Sequence, residues 1–183
     1  MAAGSAELEI RRCRMSDIDA LGVVGPAAYA EAYAYLWDDP SAFLRQLTTF
    51  SAAAFGDLLK RGDARTWVST LDGEIVGFLT MNPGVADPVT GASGGAEIAR
   101  IYILGPARRL GIGPRLLAAA TEEAVRKGCT YAWLHVMASA DRARGAYARW
   151  GFVELGRTVF AGGVAAGFAD MVVMSRSITG SVR

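Results

Sequence analysis

The chain has 183 residues, enough for one ordinary domain with a buried core. Its 19 Lys and Arg residues nearly balance its 18 Asp and Glu residues, so no overall field would draw it to nucleic acid or to an anionic membrane. Apolar residues make up 52% of the sequence and charged residues 20%, which is typical of folded rather than disordered proteins. We therefore expect a single domain over residues 1–183 that binds neither nucleic acid nor membranes.

The sequence also lacks signals for export, membrane insertion and metal binding. Residues 1–6 do not combine a basic start with an apolar run, and no stretch of roughly 20 uncharged apolar residues occurs. Cys13 and Cys129 are isolated thiols, and the single histidine, His135, cannot complete a usual zinc site with them. We expect a cytoplasmic protein with reduced thiols and no bound metal.

The chain is predicted to open with a strand and a helix. Leu8 and Ile10 alternate with polar neighbours, which indicates a strand. The segment Ser16–Asp19 supplies N-cap side chains for a helix that runs towards Leu36. Pro26 should kink or split that helix.

A second helical region is predicted over about residues 41–59, with an interruption near Phe50 and a stop at Gly62. We expect substrate to lie against this N-terminal helical part. Its aromatic residues could line an acceptor pocket, although core packing is their more common use: Tyr29, Tyr33, Tyr35 and Trp37. The acidic residues nearby could attract a cationic amine or form a solvated helix end: Glu31, Asp38 and Asp39.

The middle of the chain is predicted to form strands. Residues 66–71 and 74–81 are rich in β-formers and flank Asp72-Gly73, a strong hairpin signal. After a flexible loop, residues 96–103 form a strand that we expect to be central, because its isoleucines face both sides.

The C-terminal elements alternate between helix and strand. They are a helix over 111–127 ended by Gly128, a strand over 131–137, a helix over 141–150 ended by Gly151, and a closing hairpin of 152–160 and 168–176. The order of elements predicts an α/β (α+β) fold with a mixed sheet and helices on both faces.

The loop before the 111–127 helix has the features of an anion site. Backbone N–H groups at the start of a helix lack intrahelical partners, and Gly111 and Gly113 would let phosphates approach them closely. Arg108, Arg109 and Arg115 add positive charge around the loop. A Walker A loop is absent and a dinucleotide fingerprint lacks its third glycine, so the remaining alternative is an ordinary glycine-bearing turn.

Neighbouring residues favour a phosphate-binding function. The strand 97–103 leads into Arg108-x-x-Gly111-x-Gly113, and Ala143-x-x-x-Tyr147 precedes Gly151-Phe152 at the matching distance. Together with the strand at 133–136, this pattern over about residues 97–155 resembles the core of the GNAT superfamily of N-acetyltransferases. The resemblance implies a mostly antiparallel sheet of about seven strands, splayed in the middle.

The resemblance also implies where acetyl-coenzyme A binds. Backbone groups of the strand before the loop would pair with the pantetheine arm, and the loop would hold the pyrophosphate. The implied cofactor-binding residues are Ile101, Tyr102, Ile103, Arg108, Arg109, Leu110, Gly111, Ile112, Gly113, Asp141 and Tyr147. The family's usual asparagine is Ala140 here, so Ser139 or Asp141 would either substitute for it or only cap the helix.

Two side chains carry the implied chemistry. Tyr147 matches the family tyrosine that protonates the departing thiolate, and the alternative is simple packing beside Phe152. Glu97 matches a strand glutamate that removes the amine's proton directly or through water, and the alternative is a solvated strand end. His135 is interpreted as a structural histidine.

The acceptor amine is the part of the implied reaction that the sequence determines least. The segments around Glu97 and Tyr147 and the late Asp170-Met171 look similar to the bacterial spermidine/spermine N-acetyltransferase branch, which implies a small-molecule amine such as a polyamine. Antibiotics, amino acids and protein amines remain open, as does a non-catalytic regulator that binds acetyl-coenzyme A. The resemblance also implies a homodimer.

Overall fold

Residues 7–179, the part of the chain that the computed structural model describes, contain seven strands and five α-helices. In chain order they are β1 (Leu8–Arg12), α1 (Ile18–Tyr33), α2 (Pro40–Thr48), α3 (Ala52–Lys60), β2 (Arg65–Leu71), β3 (Glu74–Pro83), β4 (Gly95–Ile103), α4 (Ile112–Arg126), β5 (Tyr131–Met137), α5 (Asp141–Arg149), β6 (Val153–Val159) and β7 (Asp170–Ser177). The expectation about an export signal concerns residues 1–6, which lie outside the described part.

All seven strands join one sheet in the order β1-β2-β3-β4-β5-β7-β6. Every neighbouring pair is antiparallel except β4 with β5, which confirms the predicted mixed, mostly antiparallel sheet with β4 at its centre. The parallel pairing covers only Gly95–Glu97 against Tyr131–Trp133. Beyond these residues β4 and β5 diverge, and the predicted splay in the middle of the sheet is thereby confirmed.

The β2–β3 connection is the predicted two-residue hairpin. Asp72 and Gly73 both have positive φ, 51° and 88°, which is the backbone of a type I′ turn. This turn matches the twist of the flanking strands, so the register of β2 on β3 is set locally.

Apolar side chains pack on both faces of the sheet. On one face, Leu116 and Leu117 of α4 and Phe152 lie against the strands in one buried cluster. On the other face, Phe50 and Phe55 from the α2–α3 region pack with Phe78 of β3. The prediction of helices on both faces is therefore confirmed.

In the first helix one local prediction is wrong, and one alternative of another is ruled out. Pro26 does not split α1, which is continuous from Ile18 to Tyr33 and contains it. Asp17 does not cap α1 with its side chain; its buried carboxylate instead accepts hydrogen bonds from the Arg14 N–H at 2.7 Å and from the Arg11 guanidinium at 2.7 and 2.9 Å. The ion pair with β1 outcompetes the cap because a buried carboxylate needs a cationic partner.

Within residues 7–179, no helix is both long and apolar enough to cross a membrane. Over the same range, no three His, Cys, Asp or Glu side chains come together as metal ligands would. Cys13 and Cys129 are free thiols, and burial raises the pKa of the Cys13 thiol to about 12.

Candidate active site

A cavity of about 710 Å³ opens where β4 and β5 diverge. Its walls come from the C-terminal half of α1, the end of β4, the following loop, the first turn of α4, and α5. The volume is within the usual range for small-molecule sites. Most of the residues predicted to bind the cofactor line it: Ile101, Tyr102, Ile103, Arg108, Arg109, Gly111, Ile112, Gly113, Asp141 and Tyr147.

The loop between β4 and α4 has the geometry of an anion cradle. Gly111 has φ of 74° at the N-cap of α4, and a Cβ built on it would meet no atom within 4 Å, so the main chain here is open to a ligand. The first amides of α4 have no intrahelical acceptor and form the positive end of the helix dipole. These residues therefore fit a pyrophosphate group.

Three side chains predicted near this loop differ in where they lie. Arg109 lines the cavity and has φ of 73°, a left-handed conformation that is unusual for a residue with a Cβ. Leu110 is about half exposed and lies outside the cavity lining. Arg115 does not add its charge to the loop as expected, because its Nη2 donates to the Leu8 carbonyl oxygen at 3.0 Å.

A β-bulge in β4 precedes the three residues of this strand that line the cavity. Met81 pairs with Ile98 and Thr80 with Arg100, so Ala99 is an extra residue on β4. After the bulge, Ile101 and Ile103 pack with the α4 cluster, while Tyr102 packs with the aromatic cluster under α1. All three line the cavity beside the unpaired edge of β4.

Tyr147 of α5 lines the cavity on the wall opposite β4. Its ring packs against Trp150 and Phe152 with centroid distances of 5.6 and 6.0 Å. Burial raises the pKa of the Tyr147 phenol above its ordinary value, and the nearby Tyr33 raises it further. The hydroxyl therefore carries its proton at neutral pH.

The cavity walls meet where α5 begins. Tyr35, in the 3-10 turn after α1, lies with its hydroxyl 3.1 Å from the Ser139 hydroxyl, and both residues line the cavity. The N-cap of α5 is Ala140, and no side chain caps this helix. Ser139 and Asp141 therefore do not serve as caps, and Ser139 already has a partner in Tyr35.

Glu97 lies on β4 before the splay and outside the cavity lining. Its Oε2 accepts a hydrogen bond from Asn82 Nδ2 at 2.8 Å, while the buried Asn82 Oδ1 has no partner. Half-buried His135 is on β5, with its ring 5.2 Å from that of Trp133. Burial lowers the pKa of His135 despite the nearby Glu97 carboxylate, so the imidazole is neutral at pH 7.

Long-range contacts that the sequence pattern missed lie next to the cavity residue Tyr35. The Ala165 N–H donates to the Leu36 carbonyl oxygen at 2.8 Å, and Trp37 packs edge-on against Phe160. Phe168 packs in the same way against Tyr35. The β6–β7 loop is thus docked on the α1–α2 connection, which no local pattern could have indicated.

Solved structures of several N-acetyltransferases share the fold of this chain. Among solved structures, the PaiA N-acetyltransferase of Thermoplasma acidophilum in complex with coenzyme A has a TM-score of 0.73 at 19% identity, over 93% of this chain and 99% of that one. An N-acetyltransferase of Staphylococcus aureus gives 0.71 at 20% identity over 94% and 99%, and the ribosomal-protein-S18-alanine N-acetyltransferase of Escherichia coli gives 0.69 at 19% identity over 97% and 99%.

No curated protein sequence matches the chain significantly. The sequence model of the acetyltransferase (GNAT) family, however, matches residues 29–152, well over half of the chain and the whole of the predicted cofactor-binding region. The protein therefore belongs to the GNAT family of acetyl-coenzyme A-dependent N-acetyltransferases.

Proposed function

We propose that the protein transfers the acetyl group of acetyl-coenzyme A to the primary amine of a small molecule, with a polyamine such as spermidine as the leading acceptor. The observation that carries the proposal is the position of Tyr147, a protonated phenol in the same cavity as the Arg108–Gly113 loop. A phosphate cradle and a proton donor in one cleft are the two elements that acyl transfer from a coenzyme A thioester requires.

The donor side of the site has three parts. The main chain of Arg109–Gly113 would hold the pyrophosphate, and the free edge of β4 at Ile101–Ile103 would pair with the pantetheine amides. Pairing with the strand edge would place the thioester between β4 and α5, where Tyr147 lies. The thioester supplies the activated acetyl group.

The chemistry requires one proton donor and one proton acceptor. Tyr147 would donate its proton to the sulfur as the carbon–sulfur bond breaks, and the amine nitrogen forms the new bond to the acetyl carbon. Glu97 would take the proton that the amine must lose. Since Glu97 lies outside the cavity lining and is held by Asn82, it would act through an intervening water rather than by direct contact.

The α1 end of the cavity supports a cationic acceptor. Tyr33 and Tyr35 line the cavity, and aromatic rings attract ammonium groups. The choice of a polyamine rests on the similarity of the Glu97 and Tyr147 segments to that branch.

A coenzyme A-release assay tests the proposal across polyamines, free amino acids, aminoglycosides and peptides. We include an alanine-terminated peptide because the similar Escherichia coli enzyme is described as acting on the alanine of a ribosomal protein. The expected result is turnover with at least one polyamine. Turnover only with peptides or antibiotics would reject the polyamine assignment, and tight coenzyme A binding without turnover of any amine would favour a non-catalytic regulator.

A further inference from the structure

Arg108 is engaged by protein groups rather than available to a ligand. Glu31 of α1 accepts the Gly105 N–H at 2.8 Å, and the same Oε2 lies 3.3 Å from Arg108 Nη2. Arg108 Nε donates to the Ile103 carbonyl oxygen at 3.1 Å. The guanidinium therefore joins α1, the end of β4 and the following loop, and Glu31 balances its charge.

Other arginines line the same cavity without such a partner. Within residues 7–179, no ion pair includes Arg109, Arg142 or Arg149, and all three are exposed. They are the cavity's available cations. The loop carries Arg109, while α5 carries the other two.

Arg142 and Arg149 project from one face of α5. Two helical turns separate them, so they lie on the same side, and Ala146 between them also lines the cavity. Arg144 is directed elsewhere: it donates to the Ala138 carbonyl oxygen at 3.2 Å, and its Nη atoms lie 3.4 Å from Asp141 and 3.9 Å from Glu154. Asp141 is the one carboxylate among the α5 residues that line the cavity, and Arg144 pairs with it.

The charges of coenzyme A match this division of the arginines. If the pyrophosphate occupies the loop amides and Arg109, as proposed above, the 3′-phosphate of the ribose is a second, separate anion of charge close to −2 at pH 7. We propose that Arg142 and Arg149 bind the 3′-phosphate of coenzyme A and so allow the enzyme to discriminate coenzyme A from its 3′-dephospho form. The inference rests on acetyl-coenzyme A being the donor, and it assigns to α5 a role in choosing that donor. Guanidinium groups suit this task because their donors match phosphate oxygens in pairs.

Binding measurements test the inference without an acceptor amine. Isothermal titration calorimetry would compare coenzyme A with 3′-dephospho-coenzyme A for the wild type, Arg142→Gln, Arg149→Gln and the double variant. The Arg157→Gln variant is the control, since it removes the same charge from β6, where neither Arg157 nor its partner Glu154 lines the cavity. We expect the wild type to prefer coenzyme A by at least about tenfold, and the double variant to lose that preference.

The outcomes separate this inference from the proposed acceptor chemistry. A preference that persists in the double variant overturns it, and so does an equal loss of affinity for both ligands, which would place the arginines on the pyrophosphate instead. The wild type binding neither ligand would contradict use of the coenzyme itself. Thermal melting curves check that each variant is folded, and because both side chains are exposed we expect unchanged melting temperatures.

Discussion

The hydroxyl of Tyr35 lies 3.1 Å from the hydroxyl of Ser139, although the two residues are 104 positions apart. Tyr35 belongs to the turn after α1 and Ser139 to the loop before α5. This hydrogen bond therefore connects two walls of the cofactor cavity. A hydrogen bond between two walls holds them in position before a ligand binds, which lowers the entropic cost of binding.

Removing the hydrogen bond between Tyr35 and Ser139 should weaken coenzyme A binding. Tyr35→Phe keeps the ring that packs on Phe168 but removes the hydroxyl, and Ser139→Ala removes the other partner. A hydrogen bond of this type contributes about 1 kcal/mol, so we expect each change to raise the Kd for coenzyme A by up to roughly fivefold. A double-mutant cycle by calorimetry should show the double variant no weaker than either single one, whereas additive losses would mean that the two hydroxyls act separately.

Replacing Tyr147 by Phe should abolish most turnover while binding is kept. The ring contacts with Trp150 and Phe152 survive, and only the proton donor is lost. General acid catalysis is worth about 10²- to 10⁴-fold, so kcat should fall by that factor with the Kd for coenzyme A nearly unchanged. Because the pKa of Tyr147 is raised by burial, wild-type kcat should show no loss from its deprotonation as the pH rises to about 10. A variant that retains kcat within threefold would remove Tyr147 from the mechanism.

The sequence predicted those parts of the site that one strand, one loop and one helix form together. The cradle at Gly111 follows from one contiguous strand–loop–helix segment, whereas the place of Tyr147 in the same cavity was implied by the resemblance of residues 97–155 to the GNAT core. Contacts between distant segments were not predictable in the same way. Glu31 reaches the Gly105 N–H across 74 positions, and nothing in the residues around Glu31 distinguishes this carboxylate from a solvated one.

Predictions from local sequence were wrong for two charged side chains that bind a partner in β1. Asp17 has the sequence context of a helix cap, yet Arg11 on β1 takes its carboxylate. Arg115 follows the phosphate loop directly, yet its side chain reaches the β1 backbone at Leu8.

The spacing of Arg142 and Arg149 was a usable signal, because residues two turns apart on a helix that borders a predicted phosphate site share one face.

The buried tyrosines under α1 should make the fold sensitive to alkali. Burial raises the pKa of both Tyr29 and Tyr33 to about 12. A raised folded-state pKa means that the folded protein holds protons that the unfolded chain has released, so stability is complete below about pH 10 and falls as the pH rises towards 12. The loss should be on the order of 2 kcal/mol for each phenol.

Urea unfolding between pH 8 and pH 11, followed with tyrosinate absorbance, would measure the first part of this loss, which is complete only near pH 12. Tyr33→Phe should remove its share of the pH dependence and flatten the curve, since the phenyl ring cannot ionise. A free energy of unfolding that is constant across this range would show that these phenols are exposed to solvent in the folded protein.

Gly113 should not tolerate alanine. A Cβ built on Gly113 would lie 2.7 Å from Cζ2 of Trp150 and closer still to Cη2, because the indole of α5 packs directly on the first turn of α4. Gly113→Ala must therefore push Trp150 and α5 away from the loop. Overpacking of this kind costs about 1 to 3 kcal/mol, and we expect a lower melting temperature together with weaker coenzyme A binding.

A smaller residue at position 150 provides the decisive control. Trp150→Leu leaves room for the new methyl group, so the double variant Gly113→Ala with Trp150→Leu should bind coenzyme A better than Gly113→Ala alone, because the loop can return to its position. Gly111→Ala is the contrasting case: a Cβ there meets no neighbouring atom, but φ of 74° strains it, and no change at Trp150 should rescue it. Rescue of both glycine variants, or of neither, would mean that the α4–α5 contact does not determine the shape of the phosphate cradle.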